Sequence, residues 1–264
     1  SLAAQGGSII DQSAATSPAI FASELSLYAS EDIGVSDAAI GIESATLSAL
    51  TDTGGIFIDE MSDLTVGEIA DITVNRVQTD GSTETESVLE PRDLPGLTIE
   101  KGSSALILRS ISGDLTLDAS VTSGDMDNIR LESVTGNLSI NGLVDTAGHI
   151  SLLAGANLTY GQNAVVTTNL GDINAVASGD FIMDDGSLNQ AINGNIRLES
   201  AGSLSLGSLS AAGAISLVAG SITDSGPDNN AETDVSAESL RVEVTAMDGG
   251  FGESKNHIHT SVET

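Results

Sequence analysis

The chain contains no cysteine, which excludes disulfides, thiolate metal sites and a cysteine nucleophile. Aromatic residues make up 2% of it and tryptophan is absent, so any core must be thin and aliphatic. Basic residues are scarce. Eight Lys plus Arg stand against 38 Asp plus Glu, a formal charge of −30 over 264 residues. A surface of that sign cannot neutralise phosphates, which excludes nucleic acid and anionic lipid as partners. No apolar run reaches the roughly 18 residues of a membrane span, and Ser1 is not followed by a basic, apolar leader. The expectation is a piece that neither inserts into a membrane nor carries its own export signal. Lack of cysteine also suits a chain that crosses an oxidising space unfolded.

What is present is 40% hydrophobic residues, largely Ile, Leu, Val and Ala, together with 29 glycines. That is enough to bury a continuous core, so the charge does not imply disorder. Self-similarity organises the rest. Asn128-Ile129-Arg130-Leu131-Glu132-Ser133 recurs identically as Asn195-Ile196-Arg197-Leu198-Glu199-Ser200. Around these copies lie short alternating segments such as Asp114-Leu115-Thr116-Leu117, His149-Ile150-Ser151-Leu152, Asp172-Ile173-Asn174-Ala175 and Ala214-Ile215-Ser216-Leu217. Their first apolar positions, Ile129, Ile150, Ile173, Ile196 and Ile215, follow one another in steps of 21, 23, 23 and 19. Three such steps separate the two hexapeptides. A minor segment follows each major one, at Leu138, Leu158, Phe181, Leu204 and Ile222.

Alternation with period 2 over four or five residues indicates strands. One such strand buries too little to stand alone. Stacking turn upon turn solves this, with aliphatic residues in interior ladders and the Ser, Thr, Asn and Asp between them facing water. The predicted fold is all-β: a right-handed parallel β-helix of about 12 turns at roughly 21 residues per turn, spanning residues 1–264 as a single solenoid. The N-terminal part follows the scheme through Leu25-Ser26-Leu27, Ile33-Gly34-Val35, Ile40-Gly41-Ile42, Ile56-Phe57-Ile58, Leu64-Thr65-Val66 and Ile72-Thr73-Val74. Residues 76–104 break it and are expected to form a loop excursion. The prolines, Pro18, Pro91, Pro95 and Pro227, all fall between strands. A longer period links the two ends. Gly7-Ser8-Ile9-Ile10-Asp11 matches Gly220-Ser221-Ile222-Thr223-Asp224 at an offset of 213, and Gly34, Ile40 and Thr46 match Gly252, Ile258 and Thr264 at an offset of 218.

Gly148-His149-Ile150-Ser151-Leu152-Leu153-Ala154-Gly155 and Gly213-Ala214-Ile215-Ser216-Leu217-Val218-Ala219-Gly220, with the acidity and the long repeat, resemble the giant repetitive bacterial exoproteins of the filamentous-haemagglutinin and large-adhesin type. Leu89-Glu90-Pro91-Arg92 is similar to a short motif of some very large surface proteins. The resemblance covers nearly the whole chain as a shared repeat grammar. It implies export, a right-handed β-helix and a role in adhesion, biofilm or surface architecture.

Candidate chemistry is confined to few residues. Asp125 and Asp127, Asp184 and Asp185, and the run Asp224, Asp228, Asn229 and Asn230 sit at turns, where stacking can gather oxygen ligands for Ca²⁺. The same residues are also common solvated turn formers, and neither an EF-hand loop nor a Gly-Gly-x-Gly-x-Asp nonapeptide is present. Asn256-His257-Ile258-His259 places two histidines on one face of a strand, flanking a buried isoleucine. His149 takes a solvent-facing slot. The sequence reads as a non-enzymatic stalk or filament unit outside the cell or on a bacterial surface. It requires no cofactor; its partners are adjacent repeats or neighbouring copies end to end, with cell-surface glycans as a further class. Two other readings share the fold: a β-helical polysaccharide hydrolase or lyase using paired carboxylates, and a trimeric phage tailspike shaft.

Overall fold

In a computed structural model, residues 1–12, 17–69, 72–88, 96–102, 104–227 and 233–263 are described. Pro91, Pro95, Leu89-Glu90-Pro91-Arg92, Asp228, Asn229, Asn230 and Thr264 lie outside them. Among the described residues every named element is a strand, and 26 of the 28 join in one parallel system. The protein is a parallel β-solenoid with three strands per turn. On the first face, here face A, a single interior column runs Ile9, Ile33, Ile56, Leu106, Ile129, Ile150, Ile173, Ile196, Ile215 and Leu240. That column counts about 10 turns of about 23 residues. Sheet spacing then makes the rod about 48 Å long.

Face B stacks Leu64, Leu115, Leu138, Leu158, Phe181, Leu204 and Ile222. Face C stacks Leu2, Leu27, Ala49, Leu97, Val121, Val144, Val166, Asn189, Leu209 and Val235. The turn count falls below the expected 12 because the chain leaves the coil once. Leu64–Val66 and Leu115–Leu117 are stacked neighbours, yet more than two ordinary turns of sequence lie between them. Part of that interval forms a separate antiparallel hairpin, Ile72–Val77 against Thr83–Val88. Ile72-Thr73-Val74 therefore belongs to the hairpin, not to the coil, and the coil is resumed at Gly96–Ile99.

The repeated hexapeptide can be explained residue by residue. Ile129 and Leu131, like Ile196 and Leu198, fill adjacent interior columns and are essentially inaccessible. Arg130 pairs with Glu132, and Arg197 with Glu199, on the outer surface. The Oδ1 atoms of Asn128 and Asn195 accept the main-chain N–H of His149 and Ala214 in the next layer, at 2.9 and 2.8 Å. Ser133 and Ser200 turn inward, donating to the carbonyls of Gly113 and Gly179 at 2.7 Å each. Each hydroxyl adds a second bond to a corner carbonyl: Gly179 also accepts the Gly202 N–H at 3.0 Å, and Gly113 the Ser110 hydroxyl at 2.9 Å.

These inward hydroxyls correct the expectation that all interleaved polar residues face water. Ser110, Ser133, Thr146, Thr168, Ser200 and Asn189 are buried. Corner backbones bond between layers at some positions, such as Gly202 N–H to the Gly179 carbonyl at 3.0 Å, and small polar side chains supply the remaining partners. Asn189 interrupts the aliphatic column of face C, and its Oδ1 accepts the hydroxyl of Tyr160 at 3.3 Å.

In the interior column that continues through Ser110 and Ser133 stands Glu60, fully buried. Its carboxylate accepts the main-chain N–H of Ser44 and of Ser62, each at 3.0 Å, and the Ser62 hydroxyl at 2.9 Å. Burial outweighs those bonds and pushes its pKa above the ordinary 4.5. The folded chain thus holds this proton at higher pH than the unfolded chain does, so Glu60 adds stability as pH falls through the raised value. The Tm of wild type relative to that of Glu60→Gln is expected to increase on acidification from about pH 7 to about pH 4. Thermal melts of both proteins across that range check the sign, because the shared effect of neutralising the other carboxylates cancels in the difference.

Candidate functional site

The three corners hold the chain's polar chemistry. At the corner entering face B, Asp63, Asp114, Asn137, Asn157 and Asp180 form a ladder. Each side-chain oxygen accepts the N–H of the equivalent residue one layer on, ending at Ser203, over 2.7–3.1 Å. The bonds from Ser203 hold the Asp180 carboxyl below its ordinary pKa. A second ladder, at the corner entering face A, runs Asn128, His149, Asp172 and Asn195. His149 is largely exposed, as its slot predicts, yet its Nδ1 accepts the Asp172 N–H at 2.9 Å. Both ladders use side chains to index one layer against the next.

Asp125 and Asp127 occupy that same corner, in the layer above Glu100, Lys101 and Gly102. Asp125 is exposed, and its Oδ2 accepts the Gly102 N–H at 3.1 Å. Asp127 points inward: Oδ2 accepts the Ser123 hydroxyl at 2.8 Å, while Oδ1 is buried and has no partner among the described residues. A side chain on Gly102 would meet Asp127 Oδ2 at 2.9 Å, the Ile99 Cγ2 methyl at 3.0 Å and the Thr53 carbonyl at 3.5 Å. Two carboxylates therefore converge on one glycine. Asp184 and Asp185 are both exposed on the turn before Gly186, on the opposite side of face B. There the Asp184 carbonyl accepts Ser187 N–H and hydroxyl, which is turn closure.

Asp224 is buried; its Oδ1 accepts the Gly226 N–H at 2.9 Å and its carbonyl accepts Asn256 Nδ2 at 2.9 Å. The two histidines are not on a strand, which begins only at Thr260. Between them, Ile258 is half-buried. His259 lies against Asp234, whose Oδ2 accepts its N–H at 2.6 Å. A turn follows Gly252, which takes a left-handed conformation, φ 76°, and the strand resumes two residues later than its counterpart after Gly34, which starts at Ile40. Among the described residues, no three Asp, Glu or His side chains gather closely enough to hold a metal ion by themselves.

Four of the eight basic residues project from face A. Arg109 is held by Asp59 through two bonds of 2.8 and 2.6 Å, which raise its pKa further. Arg130, Arg197 and Arg241 each pair with the glutamate two residues on.

The two ends carry one hydrogen-bonded motif twice. Ile9 bridges Ile33, whose successor Gly34 has φ 69° and donates to the Ile9 carbonyl; Val35 and Ala38 then exchange a pair of bonds. Ile222 bridges Phe251, Gly252 donates to the Ile222 carbonyl, and Glu253 and Asn256 exchange the same pair. The first copy lies on face A and the second on face B. From Ile9 to Ile215 the face A column makes eight steps, and Ile222 follows on the next face. The motif thus recurs after eight turns and one face.

No protein-family model, no curated protein and no solved structure matches this chain.

Proposed function

We propose that the chain is a rigid structural segment, without catalytic residues, of an extracellular or bacterial cell-surface protein of the repetitive exoprotein type, serving as a stalk or filament unit that continues end to end. The recurring motif carries this reading. A coil that closes its tenth layer with the bonding of its second can be prolonged by another copy without a new kind of joint. Parallel strands at each end also leave one edge of donors and acceptors open to pairing among the described residues.

The one-face offset makes the proposal specific. Successive copies would be set about 40 Å apart along the axis, given sheet spacing, and turned by a third of a revolution. The hairpin Ile72–Val77 and Thr83–Val88 then emerges on a different side in each copy. Electron microscopy of the purified chain and of a covalent tandem of it tests this. Filaments or longer rods are expected, with a lateral bump at intervals of about 40 Å that returns to the same side every third copy. Short monodisperse rods from the single chain, with a kink at the joint of the tandem, would overturn end-to-end continuation. A compact trimer would instead support the tailspike reading. Turnover of acidic polysaccharides that is lost in Asp184→Asn or Asp185→Asn would support the enzymatic one.

A further inference from the structure

We infer that the corner formed by Gly102, Asp125 and Asp127 binds a divalent cation of the Ca²⁺ type. Asp127 is buried, at 1% relative exposure, and its Oδ1 has no hydrogen-bond partner among the described residues. A buried carboxylate oxygen left without a partner is costly, and a cation removes that cost. The coil does not need this side chain. Asp127 stands two residues before the stacked Ile129, and the equivalent places in the next four layers are Gly148, Gly171, Gly194 and Gly213.

The surroundings supply oxygen, the donor that hard cations take. A side chain on Gly102 would meet Asp127 Oδ2, the oxygen bonded by Ser123, at 2.9 Å, the Ile99 Cγ2 methyl at 3.0 Å and the Thr53 carbonyl at 3.5 Å, so two oxygens and one apolar wall border this position. Asp125 is fixed at the mouth by its bond from the Gly102 N–H. Two carboxylates, a carbonyl and water make a mixed set suited to the flexible coordination of Ca²⁺ rather than to the strict octahedron of Mg²⁺. Asp184 and Asp185 are exposed and have no buried, unpartnered atom.

Calorimetric titration with CaCl₂, MgCl₂ and no metal, on the full chain freed of ions by a chelator, tests the site. One Ca²⁺ per chain is expected, and at about a hundredfold excess over Kd the Tm rises by about 5 °C. Asp127→Gly, which installs the residue of the neighbouring layers, abolishes both effects while melting in chelator at or above wild type. Gly102→Ala, which fills the space, also abolishes binding; Asp184→Asn leaves it intact. Failure of wild-type protein to bind Ca²⁺ at millimolar concentration would overturn the site in favour of a buried water. Binding unchanged in both Asp127→Gly and Gly102→Ala would overturn it in favour of diffuse attraction to the −30 surface.

Discussion

Alanine at position 194 is expected to lower Tm by about 8 °C, a loss of about 3 kcal/mol. Gly194 lies in the corner entering face A, stacked between Gly171 and Gly213. A Cβ there would run into the Gly171 carbonyl oxygen, a backbone atom of the adjacent layer that cannot swing aside. The layers must part locally, and parting them stretches the bond from the Ile173 N–H to the Asn195 carbonyl, now 2.9 Å. Elsewhere the same change should behave oppositely. Gly6 has nothing within 4 Å of its missing Cβ and no left-handed φ. Gly6→Ala is therefore expected to be neutral or to stabilise by about 0.5 kcal/mol, by narrowing the unfolded ensemble. Thermal melts of the two variants, followed by circular dichroism, give the comparison. Equal and small effects would mean that the corner is not tightly stacked.

Truncation of Leu198 to alanine should cost about 3 to 4 kcal/mol. Leu198 is fully buried, and its stacked neighbours are Ala175 and Leu217. With an alanine already beneath it, the column has no long side chain on that side to relax into the space. Leu198→Asp should be worse, because it buries a charge without a partner. In a solenoid each layer contacts only its neighbours, so the damage is expected to stay local. Hydrogen exchange should show lost protection in Ile173–Ala177, Ile196–Ser200 and Ala214–Ala219. Gly96–Ile99 and Ala105–Ser110, several layers away, should remain protected. Uniform loss along the rod would indicate a single cooperative core instead.

The parts of the fold legible in the sequence are those with a strict aliphatic period. Ile129, Ile150, Ile173, Ile196 and Ile215 are direct stacking partners, at the spacings read from the chain. The minor series from Leu138 to Ile222 is likewise in register. Face C is harder to read, because its column passes through Ala49 and Asn189 and its strands carry Thr and Ser at alternate places. Composition alone does not tell a threonine that closes a corner from one that faces water. The two look alike until Thr146 is seen donating to the Asp127 carbonyl at 2.6 Å. The same ambiguity hides Glu60: an acidic residue in the last position of Ile56–Glu60 reads as a solvated strand end. Only the stacking of Ile42 before it and Ser110 after it places it inside.

For the acidic clusters, the residues themselves are legible but the distinction among them is not. Asp125-Met126-Asp127 and Asp184-Asp185-Gly186 are similar as strings. They separate because the chain between Ser123 and Asn128 is long enough for Asp127 to fold inward over Gly102. Gly186, at φ 90°, instead carries Asp184 and Asp185 around an outward turn. That difference depends on which corner each string occupies, and no local pattern encodes it.

The absence of native cysteine makes the stacking itself open to direct test. In register, Ser151 lies beside Asn174, and Asn174 beside Arg197, on the outer surface of face A. Adjacent layers put the first pair of Cα atoms about 4.8 Å apart and place Ser151 about 9.6 Å from Arg197. Only the first distance falls in the range of about 4.4–6.8 Å that a disulfide spans. Dilute oxidation of the Ser151→Cys, Asn174→Cys chain is predicted to give near-complete intramolecular crosslinking, and the Ser151→Cys, Arg197→Cys chain none. Crosslinking of the second pair but not the first would contradict the stacked coil.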